Sequence, residues 1–103
     1  MEEARARFGE ELARSHTRFQ EERDRQYDIY KATCTGEQGR RDRELAAIPP
    51  TDRAGIALAH DKYDKAVSRA GHIYDRYEER AWGRYLDDAS TLRREYGIEE
   101  VVL

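Results

Sequence analysis

Cysteine, proline and long apolar runs are nearly missing from this chain of 103 residues. The single Cys34 cannot close an internal disulfide or supply a cysteine metal knuckle, and a lone thiol fits a reducing compartment, so a cytoplasmic location is expected. No stretch of eighteen apolar residues occurs, and Met1-Glu2-Glu3 brings neither a basic region nor an apolar run. Neither a membrane span nor a secretory leader is therefore expected. Leu, Ile, Val and Phe make only 16 residues, so any core must be thin, with seven Tyr and one Trp supplying much of the buriable surface. Nineteen basic groups against 22 acidic ones leave a formal net charge of −3, too weak a field to draw in nucleic acid or an anionic membrane. That low net charge and the two prolines argue against a disordered chain.

Pro49-Pro50 is the one firm break, because proline lacks a backbone donor and drives the preceding residue out of helical geometry. The pattern predicts a single domain over 1–103: helix 1 about 2–46, a turn at 47–51, helix 2 about 51–97 capped by Thr51 or Asp52, and an apolar tail at 98–103. Gly97 suits a helix C-terminus. Two arms of equal length give an all-α fold, an elongated antiparallel two-helix hairpin of coiled-coil-like character. The β-branched Thr33 and Thr35 with Gly36 and Gly39 predict a kink or break near 33–39, each glycine costing about 1 kcal/mol in a helix. The runner-up arrangement has three helices, about 2–34, 38–47 and 51–97.

An eleven-residue repeat is the most informative feature. Tyr63, Tyr74, Tyr85 and Tyr96 follow it, as do Ala59, Ala70, Ala81 and Leu92, and Phe8, Phe19 and Tyr30 keep the same interval in helix 1. Eleven residues make three turns, which holds a stripe on one face of a nearly straight helix pair. A turn centred on Pro49-Pro50 sets Phe8 against Leu92, Phe19 against Ala81, Tyr30 against Ala70, Leu12 against Ala89, Cys34 against Val67 and Leu45 against Ile56. It sets Arg23 opposite Glu78 as a self-complementary charged layer, and the tyrosine ladder opposite Ala4, Ser15, Gln26 and Glu37. The expected seam is thus Phe8, Leu12, Phe19, Arg23, Tyr30, Cys34, Leu45, Ile56, Tyr63, Val67, Tyr74, Glu78, Tyr85, Leu92 and Tyr96.

Tyr27, Ile29, Ile73, Tyr77, Trp82 and Leu86 fall off that seam and form the expected partner interface, since a two-helix hairpin cannot cover its own flanks. Gly71 and Gly83 would let a partner approach closely. His60, Asp61 and Asp64, and again His72, Asp75 and Glu79, have spacings that can ligate a metal from one helix face. Charged helical surface produces the same spacing and is the reading taken, so no metal or other cofactor is expected. The chain has no phosphate-binding glycine loop, nucleophile elbow or Cys/His constellation, so neither an enzyme nor a small-molecule substrate is expected. Sixteen of the basic residues are Arg, densest at Arg40-Arg41-Asp42-Arg43 and Arg93-Arg94, but acidic neighbours dilute both clusters. Pairs such as Glu10 with Arg14 fit helix-surface charge lattices instead.

Tyr96-Gly97-Ile98-Glu99-Glu100, closing a hairpin of about this length, resembles the Tyr-x-x-x-Asp/Glu tail of small type VII secretion substrates. The resemblance implies an exported helical hairpin in which Tyr96 belongs to the signal. The Trp-x-Gly turn of that family is absent: the turn here is Ile48-Pro49-Pro50-Thr51, and Trp82-Gly83 lies deep in helix 2. The expected function is a non-enzymatic structural or adaptor subunit that self-associates or docks on a larger protein assembly. The alternatives are a type VII substrate-like hairpin and a nucleic-acid-associated helical protein.

Overall fold

The computed structural model describes residues 2–98. Among these residues there are two α-helices, α1 (Glu2–Ala47) and α2 (Arg53–Tyr96), and no strand, so the chain is an all-α antiparallel hairpin. The tail expected at 98–103 lies, beyond Ile98, outside the described residues. Among the described residues no helix is long and apolar enough to cross a membrane.

Helix α1 runs unbroken through Gly36 and Gly39, so the expected break near 33–39 and the three-helix arrangement are not adopted. The polar side chains of this stretch are met within the helix: Thr33 Oγ1 donates to the Ile29 carbonyl at 3.0 Å, one turn back, and Arg40 pairs with Glu37 over Gly39. Gly36 faces open space, so its cost is the intrinsic one alone.

The turn is built by backbone bonds. Ile48 N–H reaches the Leu45 carbonyl at 3.2 Å, and Asp52 N–H reaches the Pro49 carbonyl at 2.9 Å. Asp52, the second of the two expected caps, receives the Gly55 N–H on Oδ1 at 2.9 Å, while its carbonyl accepts the first helical bond, from Ile56 N–H. This starts α2 at Arg53 rather than Thr51. A Cβ on Gly55 would lie 2.5 Å from Asp52 Oδ2, so the cap in this form needs glycine there. At the other end Gly97 takes φ 62°, its N–H bonding the Arg94 carbonyl and Ile98 N–H bonding the Arg93 carbonyl, a Schellman closure.

The helices divide into two compact units, one containing the described residues up to Arg25 and from Tyr77 onward, the other Gln26–Arg76. In the terminal unit Phe8 meets Tyr96 edge-on at 6.3 Å between ring centroids, and Phe19 meets Tyr85 at 6.1 Å. In the turn unit Tyr30 meets Tyr74 at 5.8 Å, and the guanidinium of Arg41 sits 4.2 Å above the Tyr63 ring. The tyrosine ladder is therefore met one helical turn beyond the expected Ala4, Ser15, Gln26 and Glu37. Large faces large, because ring pairs in offset or edge-on contact stabilise by about 0.5–1.5 kcal/mol beyond the area they bury, and an arginine is attracted to a ring face. Among the described residues only Phe19, Ala59, Ala81 and Ala89 are buried apolar residues, joined by Ser15.

Gly36→Ala should raise stability by about 1 kcal/mol, because the added methyl meets nothing and the helix gains propensity. Asp52→Ala should lower it by about 1 kcal/mol through loss of the cap. Urea unfolding followed by circular dichroism measures both; a destabilising Gly36→Ala would contradict the unbroken helix.

Candidate functional site

Burial follows the eleven-residue interval in each unit. Phe19 is buried, and the other fourteen residues expected in the seam are half-buried. Its charged layer differs from expectation. Among the described residues no ion pair joins Arg23 to Glu78: Arg23 Nε reaches Asp24 at 3.7 Å, and its guanidinium lies 5.6 Å from the Phe19 ring. The polar links across this unit lie on another side, where Ser15 Oγ donates to Asp88 Oδ2 at 2.9 Å and Arg84 pairs with Glu22. A half-buried arginine covering a phenylalanine gains from apolar stem and ring contact without needing a buried counter-ion.

The six residues expected at a partner interface are all exposed, and Leu58 joins them as a seventh large apolar residue. Their exposures run from 38% to 54%, whereas the seam residues are buried or half-buried. In the turn unit Ile29 and Ile73 line one apolar groove of about 130 Å³ with Tyr30, Thr33, Ala70 and Tyr74. Tyr27 packs its ring against Tyr74 at 5.7 Å and holds Lys31 Nζ 5.5 Å from its own ring centre. Gly71, expected to admit a partner, faces Tyr30 instead, whose ring would be 3.8 Å from an added Cβ. In the terminal unit Trp82 is not isolated on its flank: its ring lies 5.2 Å from both Phe19 and Tyr85, with His16 5.3 Å from Tyr85. Its outer face remains open, at 44% exposure, next to Leu86.

A wider groove of about 760 Å³ in the terminal unit is lined by Arg14, Arg18, Glu11, Glu21, Asp88 and Glu95 among others. Mixed charge on open walls describes solvated helix surface. Among the described residues no three of His, Cys, Asp and Glu come together as a metal site, and Asp61 pairs with Lys65 at 2.9 Å. Tyr96 is half-buried against Phe8, while Glu99 and Glu100 of the secretion-like tail lie outside the described residues.

Two phenols carry raised pKa values. Tyr30 is pushed above the usual 10.0 chiefly by its hydrogen bond with Cys34, then by the charge there and by burial. Tyr96 is pushed up chiefly by burial, then by the charge and hydrogen bond of Glu11. Both neutral phenols therefore stabilise the fold fully below pH 10, and the contribution is lost as pH rises through the folded-state values. The melting temperature should fall from about pH 10 upward, and Tyr30→Phe with Tyr96→Phe should flatten that fall; equal slopes would contradict these contacts. No protein-family model, curated protein or solved structure matches the chain.

Proposed function

We propose that this chain is a non-enzymatic structural or adaptor subunit that docks on other protein chains, or on copies of itself, through the flanks of its helices. The observation carrying this reading is the imbalance between what the hairpin buries and what it leaves wet. Among the described residues four buried apolar residues form the core, three of them alanines, while seven large apolar side chains stay exposed. At roughly 25 cal/mol per Å² of apolar area, covering these flanks is a large reserve of stabilisation that a lone hairpin leaves unused. Charge does not compete with this reading, since surface pairs such as Arg7 with Glu3 and Arg14 with Glu10 are local to α1 and worth little each. The lone half-buried thiol of Cys34 is compatible with a reducing cytoplasm.

Light scattering on protein recovered under native conditions from its own source, and on purified protein, tests the reading. The expected mass exceeds that of one chain in at least one preparation, and a single-chain mass in both would sink it. Trp82, the only tryptophan, supplies a local probe. Trp82→Ala should weaken assembly by about 2 kcal/mol with helix content retained, and native Trp82 emission should move to the blue on assembly.

A further inference from the structure

We propose that the partner on the Trp82 flank is a second copy of this chain, its α2 lying antiparallel to the first about a two-fold axis at Leu86. This deepens the docking reading above and rests on it. Glu79, Leu86 and Arg93 recur at seven-residue intervals, so they share one face of α2, distinct from the seam, and Trp82, Gly83 and Ser90 fall between them. All six belong to the terminal unit, and Glu79, Trp82, Leu86 and Ser90 are exposed.

Three features select a copy of the same chain. Glu79 stands at one end of this face, and Arg93, with Arg94 beside it in the last turn of α2, stands at the other. An antiparallel copy therefore sets each Glu79 against the basic end of its mate, twice over, whereas a parallel copy would set like against like. The same operation brings Leu86 onto Leu86 and the large Trp82 onto the small Ser90, so volumes match. Gly83 meets nothing within 4 Å of where a Cβ would stand, which leaves room for the second helix to come close.

Reversing charge at one end tests the arrangement. Glu79→Arg in one variant, and Arg93→Glu with Arg94→Glu in another, should each weaken self-association at least about ten-fold, because every contact becomes like-on-like. Mixed in equal amounts they should form a heterodimer near wild-type affinity, both contacts being restored, as read by sedimentation and by native mass spectrometry. Circular dichroism checks that each variant is helical. Independently, Leu86→Cys in a Cys34→Ser background should cross-link to itself under mild copper oxidation faster than Trp82→Cys does, since only the residue on the axis meets itself. Wild type that stays monomeric at about 0.1 mM, variants that associate as wild type does, a mixture that does not pair, or equal cross-linking rates would each overturn the two-fold. Those results leave docking on a different protein standing, and its own test is the mass of the chain taken from its source.

Discussion

Two helices can bury only one stripe each, and here the stripe is a single row of side chains wide. That constraint governs the rest. A residue on the row's centre, such as Phe19, is buried, and its immediate neighbours are only half-buried. Aliphatic residues are too scarce to fill even this row, so aromatic rings and an arginine do it. Rings suit a narrow seam, since each spans the gap between helices and gains contact with an opposing ring as well as burial. Alanines at 59, 81 and 89 let the helices approach closely enough for those rings to meet.

The elements were legible because their signals are local. Pro49-Pro50 fixed the break, and the eleven-residue spacing picked out the seam in both helices. The facing partners were harder to read, because a turn's internal geometry sets register and a shift of one helical turn keeps every stripe on the same face. Arg41 is the instructive case. It continues the interval of Phe8, Phe19 and Tyr30 and stacks on Tyr63, yet its charge and its place in a basic cluster masked it as surface. Arg23 misled in the opposite way, since a charge in an apolar row suggested an ion pair across the seam, and the guanidinium found a ring and a neighbouring aspartate instead. Gly36 and Gly39 looked like breakers because propensity is a weak prior over a helix of 46 residues.

The candidate interface was legible as exposure but less so as contact. Ile29 and Ile73 were separate off-seam residues in the sequence, and only folding put them on one groove. Trp82 seemed wholly off the seam, yet an indole is wide enough to lean on Phe19 while presenting its other face outward. Leu58 had no periodic signal at all, standing beside the buried Ala59 in the first turns of α2.

The likeness of the ring pairs to one another has a consequence for specificity. A slip of one helix by eleven residues would bring Tyr85 to Phe8 in place of Tyr96, or Tyr63 to Tyr30 in place of Tyr74, with nearly equal contact energy. Repeated rungs are degenerate in this sense, and a ladder alone cannot count itself. What counts is the short connection: the five residues between Ala47 and Arg53, held by the Asp52 cap and the bond from Asp52 to the Pro49 carbonyl, have no slack for eleven. The uniqueness of the fold thus resides in its least repetitive segment, while the repetitive part supplies cohesion without choosing an alignment.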